Sequence, residues 1–347
     1  MKPSDQDSRT MRAVGLTRYL PVDDPQSLID CTLPRPGPGP HDLLVRVAAV
    51  SVNPVDTKVR APKAAIEATP RVLGWDAAGT VEAIGSEVTL FRPGDEVWYA
   101  GSIVRSGSNA EFQCVDERIV ALKPRSLDFA QAAALPLTTI TAWEALFERL
   151  GLDADGADAG RSLLIIGGAG GVGSIAIQLA RRAGLTTIVT ASRPETIEWC
   201  RALGATHVID HRQPLPAQLE ALGFRQVDAI ANFADTDAYW AVMCELIAPQ
   251  GRICAIVENR APLELGLLKA KSAGFVWEFM FTRAQFGTPD MIAQHRLLTR
   301  VAGLVDAGEL RTTLRETLGR IDAANLREAH RRLERGTGIG KLVLAGW

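Results

Sequence analysis

The feature that most constrains this chain is a glycine loop set between a strand and a helix. The run SLLIIGG (Ser162 to Gly168) has the length and apolar content of a buried strand. It leads straight into Gly168-Ala169-Gly170-Gly171-Val172-Gly173, a G-x-G-x-x-G, and SIAIQLARRAG then reads as a helix. Each glycine has a mechanical reason: a tight strand-to-helix turn at Gly168, backbone approach to a pyrophosphate at Gly170, and helix–sheet contact at Gly173. The helix N-terminus offers free N–H groups, and its positive dipole end, to phosphate oxygens. Such a loop is weak evidence alone, since glycine-rich turns occur in other α/β proteins. Here TTIVTAS, HVID, VDAIANF and GRICAIV follow as further buried strands, separated by helical stretches such as PETIEWCRALGA and TDAYWAVMCELIAPQG. Strict alternation of this kind means βαβ units and a parallel sheet covered on both faces, so the loop is expected to bind a dinucleotide.

Which dinucleotide is decided at the end of the second strand, where an acid about 20 residues beyond the loop would hold a ribose 2′-hydroxyl. That place reads Thr190-Ala191-Ser192-Arg193, with no acid. A hydroxyl and a guanidinium suit a 2′-phosphate, which a carboxylate would repel, so NADPH is the expected cofactor. The next strand ends in Asp210-His211-Arg212, where His211 is a candidate second donor. The bland alternatives are a solvated Arg193 opening a helix and an ordinary surface histidine.

Upstream, from Met11 to about Pro136, the texture differs: LLVRVAAVSV (Leu43 to Val52), AAGTVEAIG (Ala77 to Gly85), DEVWYAG (Asp95 to Gly101) and ERIVALKP (Glu117 to Pro124) are short apolar runs cut by Gly and Pro. They predict a small, mostly antiparallel β domain. The loop PRPGPGP (Pro34 to Pro40) cannot lie in a central strand, because proline has no N–H to donate. FAQAAALPLTTITAWEALFERL (Phe129 to Leu150) is helical and interrupted by Pro136. Late in the chain come the apolar run GFVWEFMF (Gly274 to Phe281), a helix from about Pro289 to Ala307, and a final strand–helix–strand. At 347 residues two domains are expected. A formal charge of -2 gives no general attraction to nucleic acid or anionic membrane. Five scattered cysteines suggest reduced thiols in a cytoplasm, and no apolar run reaches the ~18 residues of a spanning helix. The polar start MKPSDQDSRT is read as a frayed leader before Met11, and not as a signal peptide.

Ser51-Val52-Asn53-Pro54-Val55-Asp56, Gly74-Trp75-Asp76 through Gly85, Phe91-Arg92-Pro93-Gly94-Asp95-Glu96-Val97, LPLTTITAWEAL and IGGAGGVGSIAIQLAR together resemble the quinone oxidoreductase branch of the medium-chain dehydrogenase/reductase superfamily, within it a bacterial subgroup labelled zinc-type alcohol dehydrogenase-like. The resemblance runs from Met11 to Trp347. It implies an α/β fold: a Rossmann doubly wound parallel sheet over residues 138–307, plus a GroES-like, mostly antiparallel β domain from 1–137 and 308–347. In zinc-dependent members a Cys stands where Asn53 is, and Gly-His-Glu where Gly74-Trp75-Asp76 stand. An amide and an indole cannot replace those donors, and the structural-zinc lobe would need four close cysteines where only Cys114 is present, so no metal is expected. The resemblance also implies Asn53 and Thr141 beside the nicotinamide and its phosphates, and Gly171, Val172, Ser192, Arg193 and His211 along the pyrophosphate and adenosine ribose. The family commonly has Tyr where His211 stands. Asn232, Phe233, Ile256 and Val257 fall at the carboxyl ends of the fourth and fifth strands, where open parallel sheets bind ligands.

The expected activity is NADPH-dependent reduction of a quinone or an α,β-unsaturated carbonyl. A conjugated acceptor spreads the developing charge, so a few hydrogen-bond donors suffice, whereas an isolated alcohol normally needs a Lewis acid. Candidate donors are the Asn53 amide and the Tyr99 and Thr141 hydroxyls, with Lys58 as a proton source; Asp56 is read as orienting loop groups. Trp75, Trp277, Met280 and Phe281 are either pocket walls or core, and GFVWEFMF is a candidate edge strand for pairing into a homodimer. The alternatives are a zinc alcohol dehydrogenase and a non-catalytic NADPH binder.

Overall fold

The computed structural model describes residues 9–347; residues 1–8, which hold most of the expected leader, lie outside the described residues. Two units are present, one of residues up to Leu137 together with Phe281–Trp347, the other of Thr138–Met280.

The first unit opens with strands β1 (Thr10–Tyr19), β2 (Ile29–Pro34) and β3 (Asp42–Ser51), followed by helix α1 (Pro54–Arg60) and strands β4 (Lys63–Val72), β5 (Ala77–Ile84), β6 (Glu96–Tyr99), β7 (Phe112–Asp116) and β8 (Val120–Leu122). Pro34 closes β2, an edge strand, so its missing N–H costs no ladder bond. β3 and β5 pair antiparallel; β3, the centre of the larger sheet, is buried along most of its length, and β5 at Ala77, Ala78, Gly79 and Val81. Pro54 opens α1, where a fixed φ and no N–H are tolerated, and the Asp56 carboxylate reaches back to accept the Asn53 N–H at 2.5 Å. After α2 (Phe129–Ala133), α3 (Pro136–Trp143) begins at the proline that was expected to interrupt the helix.

A π-helical turn (Glu144–Arg149) follows α3, and the second unit then alternates β9 (Ser162–Ile166), α4 (Gly171–Arg182), β10 (Thr186–Thr190), α5 (Pro194–Leu203), β11 (His207–Ile209), α6 (Leu215–Ala221), β12 (Val227–Asn232), α7 (Thr236–Leu246), β13 (Ile247–Ala255), α8 (Gly266–Lys269) and β14 (Gly274–Trp277). The sheet order is β11-β10-β9-β12-β13-β14 and every pair is parallel. Every residue of β9 is buried, as a strand flanked by helices on both faces must be. Its core joins Leu164, Ile166, Ile188, Ile230 and Ile253 to Trp240 and Met243 of α7. One buried polar cluster interrupts it: Arg149 Nε lies 2.8 Å from Glu278, whose side chain is fully buried, and Arg149 is also 3.7 Å from the equally buried Glu144. Burial, and then the neighbouring Glu144 charge, hold the Glu278 carboxyl well above the ordinary carboxylate range.

The chain returns to the first unit through α9 (Thr282–Phe286), α10 (Ile292–Asp306), β15 (Leu314–Thr317), α11 (Ala323–Glu334) and β16 (Lys341–Ala345). The sequence reading assigned residues up to Ala307 to the nucleotide-binding domain. Instead α10 lies against β8 and the preceding 3-10 turn: His295 meets the Val120 carbonyl at 2.7 Å, Phe91 packs on its ring edge, and Asp306 takes the Arg125 and Ser126 N–H groups. These contacts move the second junction to Met280. β16 is inserted between β15 and β3, so the larger sheet of this unit runs β15-β16-β3-β5-β6-β8, with β7 on the flank of β3.

Candidate functional site

In the second unit the glycine loop joins β9 to α4. Gly167, one residue before the motif, takes the left-handed turn at φ 90°, and its N–H donates to Thr190 Oγ1 at 3.0 Å. Gly168 is needed for closeness instead, since a Cβ there would stand 2.0 Å from Val189 Cγ1. This corrects the reading that placed the tight turn at Gly168. A Cβ on Gly173 would meet the Gly167 carbonyl oxygen at 2.3 Å and Gly168 Cα at 2.7 Å, which is the expected helix–sheet contact. Gly170 is exposed, caps α4 without a side chain, and faces only Gly167 O at 3.6 Å. Gly171 and Val172 follow as the first residues of α4, whose N–H groups have no partner within the helix.

At the end of β10, Ser192 and Arg193 are half-buried, and Arg193 Nε pairs with Glu195 at 3.2 Å. Arg212 crosses from the end of β11 to donate to the Ser192 carbonyl at 2.7 Å and grips Asp210, holding that carboxylate below its ordinary range through the hydrogen bond. His211 is exposed beside it. Of Asp210-His211-Arg212, the sequence points to His211 as a donor, and it is the Arg212 guanidinium that reaches the Ser192 carbonyl. Asn232, Phe233, Ile256 and Val257 come together at the carboxyl ends of β12 and β13: Asn232 O accepts the Ile256 N–H at 3.3 Å, and Thr236 Oγ1 donates to the Val257 carbonyl at 2.5 Å.

The first unit carries a second polar centre, at the junction of β3 and α1. Asn53 is buried; its Nδ2 donates to Asp76 Oδ2 at 3.0 Å and lies 3.5 Å from the Ser51 and Trp75 carbonyls, while its Oδ1 accepts from Lys341. Lys341 Nζ also donates to Val52 O at 2.8 Å and sits 3.1 Å from Asp76 Oδ2, and Asp76 Oδ1 accepts the Leu137 N–H at 2.9 Å. Burial pushes Asp56 up to about 7 and raises Asp76, and it lowers Lys341. Trp75 is fully buried, donates to Ser102 O at 3.1 Å and stacks edge-on with Phe281 at 6.1 Å, so both are core rather than exposed wall. Trp277 by contrast is 41% exposed on the edge strand.

Of the candidate donors, this geometry takes Asn53 out of use, because its amide hydrogens and oxygen are engaged inside the cluster. The Tyr99 hydroxyl is sealed in the core with no hydrogen-bond partner among the described residues, and burial raises its pKa, so it presents no donor either. Lys58 is exposed on α1, and Thr141 is buried on α3.

Two family models match the chain, an alcohol dehydrogenase GroES-like domain over residues 39–125 and a zinc-binding dehydrogenase over 203–344. A zinc-type alcohol dehydrogenase-like protein of Staphylococcus aureus is 47% identical, the alignment covering 96% of this chain and 99% of that one. A Rhizobium etli CFN 42 structure, of a protein proposed to be a zinc-dependent alcohol dehydrogenase, is 54% identical with a TM-score of 0.93, covering 98% of this chain and 99% of the other. The quinone oxidoreductase of Coxiella burnetii is 27% identical with a TM-score of 0.80, covering 98% and 100%. Fold and site thus define a nicotinamide-dependent oxidoreductase. The chain belongs to the medium-chain dehydrogenase/reductase superfamily.

Zinc, which the family descriptions imply, does not fit this donor set. Where a thiolate, an imidazole and a carboxylate would converge, the chain has an amide used at both ends, an indole turned to a carbonyl, and a carboxylate 3.1 Å from an ammonium. No group of three or more His, Cys, Asp or Glu able to hold a metal occurs among the described residues. The five cysteines are free, and no described helix is long and apolar enough to cross a membrane.

Proposed function

We propose that this chain is a zinc-independent, NADPH-dependent reductase of quinones or α,β-unsaturated carbonyls. The observation that carries the reading is the end of β10, where Ser192 and Arg193, with Arg212 hydrogen-bonded to the Ser192 carbonyl, replace the acid that would select a free ribose hydroxyl. Gly170, Gly171 and Val172 would hold the pyrophosphate, with Gly168 and Gly173 keeping the loop close to the sheet. Ser192, Arg193 and Arg212, flanked by His211, would hold the adenosine ribose and its 2′-phosphate. Asn232, Phe233, Ile256 and Val257 would line the strand ends, and Asn53 and Thr141 would stand beside the nicotinamide. The cofactor supplies the hydride when bound.

What remains for the protein is to place the acceptor, exclude water and donate to its oxygen. Thr141 is the hydroxyl assigned to that oxygen, and Lys58, on the exposed face of α1, is assigned the delivery of a proton. A conjugated carbonyl delocalises the charge that develops on its oxygen, so a hydroxyl donor suffices there without the Lewis acid that an isolated alcohol normally requires. The Coxiella burnetii quinone oxidoreductase, similar along its whole length, supports this acceptor class.

β14 ends the parallel sheet with Trp277 and Phe279 exposed, which favours a homodimer paired through this edge. The buried or half-buried free thiols suit a cytoplasmic setting. Steady NADPH oxidation with a panel of quinones and enones tests the activity, and metal analysis runs beside it. No turnover with any acceptor would leave a non-catalytic NADPH binder, and stoichiometric zinc would restore the alcohol dehydrogenase reading.

A further inference from the structure

We propose that Lys341 is a positioning residue: its buried ammonium stands in for a metal cation at the corner of β3 and α1, and from there it fixes both Asn53 and the helix that carries Thr141. The inference rests on the reading of those two residues as neighbours of the nicotinamide.

A lysine this deeply buried can stay charged only if its hydrogens are satisfied and its charge is met, because transfer of a bare ammonium from water is prohibitively unfavourable. Lys341 meets both conditions. An ammonium has three donors and no acceptor, and three oxygens surround this one: Val52 O, Asn53 Oδ1 and Asp76 Oδ2. The arrangement determines which way the Asn53 amide faces. Lys341 can only donate, so the Asn53 atom turned to it must be oxygen, and the amide nitrogen must then point at Asp76.

Asp76 carries the influence onward. Its second oxygen accepts the N–H of Leu137, the second residue of α3 and one of the donors that a helix N-terminus leaves unpaired. A carboxylate there is also favoured by the helix dipole. α3 runs on through Thr138 and Thr139 to Thr141. One cation thus governs two arms: Asn53 directly, and the start of the Thr141 helix through Asp76. Without the ammonium, Asn53 Oδ1 loses its donor, and Asp76 keeps its hydrogen bonds from Asn53 and Leu137 but has no countercharge, in the same buried cluster as Asp56, whose proton affinity the Asp76 charge raises.

The predicted consequence is a split in kinetics. NADPH affinity rests on the glycine loop and the ends of β10 and β11, none of which touches Lys341. Loss of the ammonium should therefore lower turnover while sparing the NADPH KM. Lys341→Met keeps the aliphatic stem and removes the charge. It should lower kcat, counted per NADPH-binding site, at least tenfold, with the NADPH KM changed less than threefold. Lys341→Arg keeps a charge, but its planar fork cannot reproduce donation to Val52, Asn53 and Asp76 together. It should lower kcat per site at least threefold, and it decides the matter if Lys341→Met does not fold.

A purely structural lysine would reduce the amount of folded enzyme and leave turnover per binding site unchanged. That result, in whichever variant folds, overturns the proposal. If the unmodified chain turns over no quinone or enone, the proposed function fails on its own, and amide hydrogen exchange in the cofactor-free chain then decides the role of Lys341. Exchange at Leu137 at least tenfold faster in the variant, with β9 amides unaffected, supports it; equal exchange at Leu137 overturns it.

Discussion

Two alanines three residues apart separate the fold of the glycine loop from its use. At Gly170 the backbone has φ -70° and ψ 174°, open to any residue, and a new methyl would meet only Gly167 O at 3.6 Å. Gly170→Ala should leave the folded chain unstrained and narrow the unfolded ensemble, a gain of about 0.4–1 kcal/mol. That methyl would nonetheless stand where the proposed pyrophosphate site brings the ligand against the backbone. Displacing the ligand should cost about 1–3 kcal/mol, the scale of an added methylene in a tight contact, or roughly tenfold to a hundredfold in NADPH Kd. At Gly173 the methyl would lie 2.3 Å from one backbone oxygen and 2.7 Å from a backbone Cα, atoms that cannot rotate aside. Gly173→Ala should therefore destabilise the cofactor-free chain by about 1–3 kcal/mol or more, lowering its melting temperature by several degrees. Calorimetric melting without cofactor, together with isothermal titration of NADPH, reads both effects. Wild-type NADPH affinity in Gly170→Ala would refute the assignment of this loop to a pyrophosphate, and an unshifted melting temperature in Gly173→Ala would refute the packing argument.

Reversing charge at the end of β10 gives a sharper test of cofactor choice. Arg193→Asp should weaken NADPH binding at least tenfold with NADH little changed, and Arg212→Ala should act in the same direction more weakly; equal losses for both cofactors would contradict the role given to these guanidinia. Burial holds the proton of Asp56 up to about 7 in the folded chain, above the ordinary carboxylate value, so stability should fall as pH rises from about 4 to about 7 and level off beyond, by roughly 1.4 kcal/mol per pH unit at most. Asp56→Asn keeps an acceptor for the Asn53 N–H and should flatten that slope in urea unfolding measured across the range; an unchanged slope would remove Asp56 as its source. Glu278 also carries a raised pKa, caused by burial and by Glu144, so Glu278→Gln should relieve the loss of stability toward alkaline pH, and a melting temperature that still falls with pH as in the unmodified chain would remove Glu278 as its source.

The second unit was largely legible because its signals are local. Strand and helix alternate within reach of each other, and the motif glycines fall where turn geometry or close approach requires them. Even there, the residue in the left-handed turn was Gly167 and not Gly168, since sequence spacing does not reveal φ. The first unit was harder. β4 is mostly exposed along Lys63–Val72 and shows no regular alternation of buried and exposed positions. The attachment of α10 to β8 follows from tertiary contacts at His295 and Asp306 that no periodicity encodes. Nothing in GKLVLAG marks out Lys341; its partners Val52, Asn53 and Asp76 lie far back in the chain, and only folding reveals that it is buried. That Arg212 reaches the Ser192 carbonyl is equally hidden, because side-chain direction at a strand end cannot be read from residue type.

The position of β16 has a bearing on how the molecule is made. The nucleotide-binding unit is one contiguous stretch, so it can close once its own residues have left the ribosome. In the other unit, β3 obtains one of its neighbours only when Val343 comes opposite Ser51, a pairing of very high sequence separation. Contacts of this kind form slowly because a long loop must be closed first. Biogenesis should therefore pass through a species with a finished nucleotide fold and an open sheet edge on β3 beside Ser51, which is sealed only when β16 arrives.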